Sequence, residues 1–352
     1  MRVVYLIAHL GQTGVNRVVL DLVLQMQAHN HYCSVYYIED RKAEISYPCE
    51  VQLLQTPGQL TGYDVIHAHG LKPELWIAKK FWLGFKRKGF KQANLITTLH
   101  CYCFQDFFDL YGKVKGLIMG MTYLFTKFTF DKVVCLSQDM MKYYERWVPK
   151  KKLTYAYNTR DIIVEESIIT EKEKIELQRI KGNGILIGMN CVLLYRKGLD
   201  VMLLAMKLLP EKYHLFVAGD GKEMETFIQI AKEYGVDGRV FFAGRRKEAY
   251  RYLPYYDIYA MPSRSEGFPL VLLEAAAYGK KVVASSLPVV TECFADDEVM
   301  TFDMPNAKAL AQSILNISVD NMIGKRLKEK FEENYAPEAF YHRYLTIYQN
   351  MG

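Results

Sequence analysis

The sequence lacks the features that mark several classes of protein. Its seven cysteines, at positions 33, 49, 101, 103, 135, 191 and 293, form no CxxC pair, so neither a disulfide framework nor a zinc site is expected. The start, MRVVYLIAHLGQTG, has no long apolar region before a small-residue cleavage site, which a signal peptide requires. The most apolar later stretch, GLIMGMTYLFT, is well short of the roughly 20 residues that span a bilayer. We therefore expect reduced thiols, a cytoplasmic location and no membrane-spanning segment.

Two common phosphate-binding fingerprints are also missing. The sequence has GQTGVN and GDGKEM where a dinucleotide-binding loop would need GxGxxG, and it has no GxxxxGK[ST] loop. The 45 Lys and Arg against 39 Asp and Glu give a formal net charge of +6. This mild excess suits phosphates, nucleic acid or an anionic membrane without deciding between them.

The sequence does contain a long alternation of strand and helix patterns. Runs such as VVYLIAH and CSVYYIED alternate with helical patterns such as VNRVVLDLVLQMQAHN, which is typical of a parallel sheet with helices on both faces. The charged segment 162–184 separates two such series. We predict a first domain at 1–165, a linker at 166–183, a second domain at 184–335, and a last helix at 336–352 that could pack back on the first domain.

The stretch SRSEGFPLVLLEAAAYGKKVVAS places Glu266 and Glu274 near one strand end. Pro269 suits the first turn of a helix and Gly279 the residue beyond its end, so we predict a helix at 269–278. The loop before it brings backbone amides and the positive end of the helix dipole to the sheet edge, which suits an anion. Spacing alone would leave both acids as ordinary surface carboxylates.

The pattern around these acids resembles the hallmark segment of glycosyltransferase family 4, whose members are retaining, nucleotide-sugar-dependent enzymes. The resemblance covers nearly the whole chain in order, through GQTGVNRVVLDLVLQM, YDVIHAHG, LITTLHCY, RKGLDVMLLAMKLL and VFFAGRRKEAYRYLPYYDIYAMPS. Thr13 and Thr159 stand where the family has glycines. The resemblance implies an α/β protein with the GT-B fold, in which two Rossmann-like, doubly wound domains face a central cleft.

The resemblance also implies residue roles. Glu274 would accept hydrogen bonds from the ribose hydroxyls of the donor nucleotide, and Glu266 would hold hydroxyls of the donor sugar. Lys197, with the amides around Gly14, would stabilise charge on the departing diphosphate. Val192 occupies the position of the usual family arginine, so Arg196 is predicted to replace it. The other predicted donor-binding residues are Arg246, Gly267, Phe268, Pro269 and Leu270.

Histidines follow two of the predicted strands. His100, after LITTL, matches the family histidine that contacts the donor sugar near the reacting carbon, and we predict a catalytic role for it with Glu266. His67 and His69 in HAH are expected to divide between the cleft wall and the core. No metal and no cofactor other than the nucleotide-sugar is expected.

A basic and aromatic stretch, KKFWLGFKRKGFK, lies outside the family pattern. It is either a solvated helix with buried aromatics or an interfacial surface for anionic lipid and the acceptor. The residues predicted for that surface are Lys79, Lys80, Trp82, Lys86, Arg87, Lys88 and Lys91.

Taken together with the residues, the resemblance implies a metal-independent retaining hexosyltransferase. It would move a hexose or N-acetylhexosamine from a nucleotide-sugar, with UDP favoured, to a lipid-linked or oligosaccharide acceptor in bacterial O-antigen, lipopolysaccharide or capsule synthesis. Peripheral association with the inner face of the cytoplasmic membrane is expected, and no nucleic acid partner is. Two alternatives remain: a nucleotide-sugar epimerase of the same fold, and a degenerate, non-catalytic module that binds lipid or nucleic acid.

Overall fold

The computed structural model describes residues 1–82, 93–162 and 169–350, and the chain divides into two units. The first unit comprises Met1–Asp161 together with Ala336–Gly352, and the second comprises Ile162–Tyr335. Each unit is an α/β layer structure around its own parallel sheet.

The first unit has a seven-stranded sheet in the order β3-β2-β1-β4-β5-β6-β7, with every pair parallel. Its strands are β1 (Arg2–Ile7), β2 (Tyr32–Tyr37), β3 (Glu50–Leu53), β4 (Val65–His69), β5 (Asn94–Thr98), β6 (Lys132–Cys135) and β7 (Leu153–Tyr155). Its helices are α1 (Gly14–Ala28), α2 (Leu71–Trp82), α3 (Cys103–Tyr111), α4 (Lys113–Thr126), α5 (Gln138–Tyr144) and α13 (Pro337–Gln349). Strands β1 and β4 are buried almost throughout, which explains their nearly continuous apolar sequences.

The last helix, α13, packs within the first unit. The Tyr341 ring stacks on His29 with ring centroids 3.5 Å apart, and its hydroxyl lies 2.9 Å from His31 Nε2. Near the end of the helix, the Tyr348 hydroxyl lies 2.8 Å from Nδ1 of the buried His67. These aromatic contacts tie the end of the chain to α1 and β4 although more than 270 residues separate them.

The second unit has a six-stranded parallel sheet in the order β10-β9-β8-β11-β12-β13. Its strands are β8 (Ile185–Asn190), β9 (Tyr213–Ala218), β10 (Val240–Gly244), β11 (Ile258–Met261), β12 (Lys281–Ser285) and β13 (Met300–Phe302). Its helices are α6 (Glu171–Lys181), α7 (Leu199–Leu208), α8 (Met224–Glu233), α9 (Leu270–Ala277), α10 (Pro288–Cys293), α11 (Ala307–Val319) and α12 (Ile323–Asn334). Its apolar core joins β8, β9, α7 and α11 through residues such as Leu215, Met202 and Leu310.

Both sheets reverse their strand order at one point, as Rossmann-like sheets do. The reversal lies between β1 and β4 in the first sheet and between β8 and β11 in the second. Ligands of open α/β sheets bind beyond the carboxyl ends of the strands at such a point. The prediction of two Rossmann-like, doubly wound domains is confirmed.

The segment predicted as a linker, 166–183, contains helix α6. Thr170 caps this helix in a reciprocal pair of hydrogen bonds with Glu173, and Leu177 is buried. The remaining side chains of α6 are mostly charged, which is why the segment resembles a connection when only its sequence is considered. The structure places α6 in the second unit.

No helix in the described parts of the chain is both long and apolar enough to cross a membrane. All seven cysteines are free thiols.

Candidate functional site

In the second unit, an ion pair lies where the strand order reverses. Lys197 follows β8 and Glu266 follows β11, and Lys197 Nζ lies 2.5 Å from Glu266 Oε1. The Ser263 hydroxyl donates a 2.6 Å hydrogen bond to the same carboxylate oxygen. Glu266 is only 8% exposed. The two predicted residues are therefore neighbours, at the sheet edge where α/β proteins bind their ligands.

Glu266 is held in its ionised form. Burial by itself would raise the pKa of its carboxyl, but the charge and hydrogen bond of Lys197, the Ser263 hydroxyl and the charge of Arg196 together lower that pKa below its ordinary value. An ionised carboxylate accepts hydrogen bonds and donates none. Glu266 is thus suited to hold hydroxyl groups, and Lys197 to hold an anionic oxygen.

The turn that carries Lys197 is fixed by a close backbone approach. Gly198 has a φ of +71°, and a Cβ on it would lie 1.7 Å from the carbonyl oxygen of Pro262. A side chain at this position would collide with the end of β11 and would strain the backbone. Gly198 thereby allows the turn after β8 to lie directly against the strand end that leads to Glu266.

Arg264 holds the same turn from the other side, and the sequence analysis did not identify it. Its guanidinium donates two hydrogen bonds, of 2.8 and 2.7 Å, to the carboxylate of Asp200 in α7. It also donates a 2.7 Å bond to the Tyr195 carbonyl, while its backbone N–H donates a 2.7 Å bond to the Arg196 carbonyl. The sequence offered one sign of this role, namely a positive charge two residues before Glu266. It could not show the partners of Arg264, because they are remote in sequence.

Helix α9 carries the second acid. The helix spans Leu270–Ala277 after Pro269, and Gly279 beyond its end has a φ of +62°, close to the predicted bounds 269–278. Phe268 and Pro269 are buried, while Gly267, Leu270 and Glu274 are partly exposed. Glu274 lies in the second turn of the helix. The first turn of α9 presents N–H groups without intrahelical acceptors, as every helix does.

The predicted donor-binding arginines differ in their surroundings. Arg196 lies on the same turn as Lys197, and its charge contributes to the lowered pKa of Glu266. Arg246 forms ion pairs with α6, with its Nη2 3.2 Å from Glu176 Oε2 and its Nη1 3.9 Å from Glu173 Oε1. Its charge is therefore already balanced within the second unit, and its role toward a donor stays a prediction.

In the first unit, three histidines form a neutral cluster at the ends of β4 and β5. His69 Nδ1 lies 3.0 Å from His100 Nε2, and His67 Nε2 lies 2.8 Å from the Thr98 hydroxyl. Burial lowers the pKa of His67 and His69 well below the ordinary value. Burial and the charge of Lys127 lower the pKa of His100 to about 3. His100 can therefore offer a hydrogen bond at neutral pH but no positive charge.

The expected division of His67 and His69 between a cleft wall and the core is wrong. Both side chains are buried, and their ring centroids lie 4.2 Å apart. Residues two apart in a strand point to the same face of the sheet. His69 therefore lies on the same face of the sheet as His67, with its Nδ1 next to His100. Its Nε2 is buried and has no hydrogen-bond partner.

The loop after β1 carries the predicted Gly14. This glycine is the first residue of α1, whose N-cap is the Thr13 side chain, and it is exposed. The Asn16 amide donates 2.7 Å hydrogen bonds to the carbonyls of His9 and Gly11, which orders the loop. Thr13, which departs from the family glycine, thus has a structural role as a helix cap.

Only part of the predicted basic surface can be placed. Lys79, Lys80 and Trp82 lie at the end of α2, and Trp82 is 56% exposed. Lys86, Arg87, Lys88 and Lys91 lie outside the described residues. In the described ranges, no group of three or more His, Cys, Asp or Glu side chains is arranged to hold a metal ion; metal independence stays a prediction.

A cavity of about 440 Å³ lies elsewhere in the second unit, between α6 and the start of β12. Its lining includes Lys181, Asp257 and Lys280 and none of the residues predicted for the donor. We assign the site to the Lys197–Glu266 edge instead, since that edge combines the strand-order reversal with an ion pair whose carboxylate is buried.

Part of the chain matches a known protein family. Residues 170–336 match the family model described as Glycosyl transferases group 1. The matched range covers nearly all of the second unit. It contains Lys197, Arg196, Arg246, Glu266 and Glu274.

The whole chain is similar to known glycosyltransferases. It is 28% identical to the O-antigen biosynthesis glycosyltransferase WclY of Escherichia coli, over 100% of this chain and 99% of that protein. Among solved structures, it resembles HepE of Anabaena in complex with UDP and glucose, with a TM-score of 0.80, 17% identity and 99% of both chains covered. It also resembles sucrose-phosphate synthase of Thermosynechococcus elongatus, with a TM-score of 0.79, 18% identity and coverage of 100% and 99%. These matches support a glycosyltransferase with the GT-B fold.

Proposed function

We propose that the protein is a retaining glycosyltransferase of family 4 that moves a hexose or N-acetylhexosamine from a UDP-sugar to a lipid-linked glycan in the synthesis of a bacterial surface polysaccharide. The observation that carries the proposal is the Lys197–Glu266 pair, which lies at the strand-order reversal of the second unit, within the range that matches the glycosyl transferase model. The pair combines a cation for phosphate oxygens with an ionised acceptor for sugar hydroxyls.

The proposed donor follows from the chemistry of these side chains. A nucleotide-sugar presents a diphosphate between a ribose and a hexose, so its site needs positive charge flanked by hydrogen-bond acceptors. Lys197 and Arg196 would supply the charge, Glu274 would accept from the ribose, and Glu266 would accept from the hexose. The structural similarity to HepE, solved with UDP and glucose, favours UDP.

Rate enhancement would come mainly from electrostatics. Negative charge grows on the diphosphate as the glycosidic bond breaks, and fixed positive groups stabilise that charge more in the transition state than in the ground state. Lys197 is held in place by a turn that Gly198 and Arg264 fix, so little reorganisation is needed. By the family resemblance, the neutral His100 of the first unit would contact the donor sugar.

The proposed acceptor rests on the relatives. WclY, which matches over 99% of its own length, is an O-antigen biosynthesis glycosyltransferase, and O-antigen or capsule units are the surface glycans that we propose as products.

The epimerase alternative predicts an altered donor in the absence of any acceptor, whereas a transferase requires an acceptor.

The test begins with a thermal-shift screen of UDP, GDP, ADP and their sugars, since a bound nucleotide stabilises the folded state. The stabilising donor is then incubated with a polyprenyl-diphosphate-linked sugar, and NMR of the product gives its anomeric configuration. We expect UDP to stabilise the protein and the transferred sugar to keep the configuration of the donor. Activity in EDTA tests metal independence. Conversion of the donor without acceptor would establish the epimerase, and no response to any nucleotide would indicate the degenerate module.

A further inference from the structure

Exposed large hydrophobic side chains are concentrated in one short part of the first unit. Of the twenty in the described residues, nine lie between positions 108 and 128. They are Phe108, Leu110, Tyr111, Val114, Leu117, Ile118, Met121, Phe125 and Phe128. We call this set the α3–α4 surface. Scattered exposed apolar residues are ordinary, but a cluster of this size marks an interaction site.

Helix α4 is apolar on two opposite faces. Its inner face uses Gly116 and Gly120, where an added Cβ would lie 2.6 Å from the Phe107 carbonyl oxygen and the Phe104 ring, so α4 lies directly on α3. Its outer face presents Val114, Leu117, Ile118, Met121 and Phe125, which the spacing of an α-helix places in one stripe. Folding already buries the inner face. The outer stripe is thus a second apolar face that no described part of the protein covers.

The stripe continues into an aromatic cluster at the end of α2. The Trp82 ring lies 5.1 Å from the Phe125 ring, and the Phe125 ring lies 6.4 Å from the Phe128 ring. The indole N–H of Trp82 donates a 3.1 Å hydrogen bond to the Thr129 hydroxyl. An exposed Trp with a satisfied N–H and an apolar ring surface is typical of side chains at a membrane–water boundary.

Lysines lie near both ends of the α3–α4 surface. Lys113 and Lys115 are exposed in the first turn of α4. At the other end, Lys79 and Lys80 lie in the last turn of α2 beside Trp82, and Lys152 donates hydrogen bonds to the carbonyls of Phe128 and Phe130.

Acids are fewer around this surface: Asp106 and Asp109 on α3, and Asp131, which accepts from the Leu95 amide. An apolar stripe with lysines at both ends complements an anionic bilayer, whose headgroups carry the opposite charge around an apolar interior. A second copy of the chain would instead bring like charges together.

We propose that the α3–α4 surface docks on an anionic lipid bilayer, with the outer stripe of α4 in the interface and the lysines at the headgroups. The docking surface is thereby centred on α4. Of the stretch 79–91 that the sequence indicated, Lys79, Lys80 and Trp82 lie at the end of α2 beside this surface, and residues 83–91 lie outside the described residues. The inference deepens the proposed function, on which its link to a lipid-linked acceptor rests. Vesicle binding itself requires no catalysis.

The experiment measures co-sedimentation of the full chain with vesicles of phosphatidylethanolamine and phosphatidylglycerol, and with vesicles of phosphatidylcholine alone, in the absence of donor. We expect binding to the anionic vesicles and weak binding to the neutral ones. The double variant Leu117→Glu with Ile118→Glu should bind the anionic vesicles at least about tenfold more weakly, because two apolar anchors become acidic. Val319→Glu is the matched control, since Val319 is 81% exposed but lies in the second unit, and it should bind like the parent.

Folding and nucleotide binding are monitored in parallel. The thermal midpoint of the double variant and its nucleotide affinity should match those of the parent, since the changed side chains are exposed and lie outside the second unit. Equal sedimentation of parent and double variant would overturn the proposal. The proposal would also be overturned if vesicle binding were lost only when the charges of Lys86, Arg87 and Lys88 are reversed. It would be overturned as well if the parent formed concentration-dependent dimers and the double variant lost these dimers but kept vesicle binding. Failure of transfer with intact vesicle binding would count against the proposed function alone.

Discussion

Lys197 and Glu266 form an ion pair, with Lys197 Nζ 2.5 Å from Glu266 Oε1. The resemblance assigned one to the diphosphate and the other to the sugar, as if they acted separately. Because each is the other's partner, a substitution at either position also changes the charge that the remaining residue presents. The mutational behaviour of this pair follows from that coupling.

Glu266→Gln should therefore leave UDP affinity unchanged or increase it, by up to about tenfold, because the charge of Lys197 is no longer opposed by a neighbouring carboxylate. Transfer should nevertheless fall by about a hundredfold or more, since the acceptor for the sugar hydroxyls is weakened. Lys197→Met should reduce both UDP affinity and transfer. Calorimetric titration with UDP and steady-state kinetics measure the two effects.

The control for this pair is Lys222→Met, which removes an exposed lysine of the same unit and should leave both measurements unchanged. Weaker UDP binding by Glu266→Gln, of the same size as that of Lys197→Met, would contradict the assigned roles.

Glu274 gives a second prediction, because its proposed partner is a specific hydroxyl pair. Glu274→Gln should weaken UDP binding by about tenfold, roughly the loss of one charge-assisted hydrogen bond. The parent should bind 2′-deoxy-UDP more weakly than UDP by a similar factor, whereas the variant should bind the two nucleotides with nearly equal affinity. Glu225→Gln, in the first turn of α8 and exposed, is the matched control. If the losses of affinity caused by Glu274→Gln and by removal of the 2′-hydroxyl were additive, Glu274 would not contact the ribose.

A buried ion pair in the first unit gives a prediction about stability. Lys127 and Glu74 are bonded to each other and fully buried, and the hydroxyls of Thr97 and Thr126 donate hydrogen bonds of 2.5 and 2.8 Å to Glu74. Lys127→Met leaves a buried carboxylate without its cation and should lower the free energy of unfolding by about 3–5 kcal/mol. The double variant Glu74→Gln with Lys127→Met removes both charges and should recover most of the loss. The Gln amide keeps one acceptor oxygen for a threonine hydroxyl, and its NH₂ group can donate to the other hydroxyl.

Fluorescence can isolate this effect. All three tryptophans, Trp76, Trp82 and Trp147, lie in the first unit, so urea unfolding followed by their emission measures that unit. Lys150→Met removes an exposed lysine that pairs with Glu145 in the same unit and should leave the unfolding curve nearly unchanged. A double variant no more stable than the single one would show that packing of the lysine stem, and not its charge, matters.

Much of this fold could be predicted from local sequence patterns. Alternating apolar runs and helical periods predict parallel α/β units because each strand is buried on both faces and each helix on one. Pro269 and Gly279 predict helix α9 because their backbone preferences act within a few residues. Helix α6 was assigned to a linker because the sequence alone gives no sign of where Leu177 packs.

The side-chain pairs of the site were harder to predict. Arg264 and Asp200 are 64 residues apart in sequence and meet only because β8 and β11 are adjacent at the strand-order reversal. The α3–α4 surface was also missed, since a helix with two apolar faces predicts a buried helix and only the packing on Gly116 and Gly120 shows which face remains outside. The β4 histidines, in contrast, could have been placed correctly from the two-residue period of a strand.

The histidine cluster of the first unit gives the last prediction. The pKa values of His67, His69 and His100 are lowered, that of His100 to about 3, whereas each unfolded histidine titrates near 6.5. Between these values the unfolded chain binds more protons than the folded one, so the free energy of unfolding rises with pH. Their contribution is complete above about pH 6.5 and is lost progressively as the pH falls below it. The fully buried His67 and His69 dominate this dependence, because His100 is partly exposed.

We therefore expect the first unit, followed by tryptophan emission, to lose stability between about pH 7 and about pH 5, by up to about 1.4 kcal/mol per pH unit for each histidine that stays neutral. His69→Gln should flatten this dependence by about one proton, whereas His342→Gln, a change at an exposed site, should not. In NMR titrations, the ring signals of His67 and His69 should stay constant over this range. If the ring signals of the two buried histidines move with a midpoint near 6.5, the cluster is open to protons and His100 could carry a charge at neutral pH.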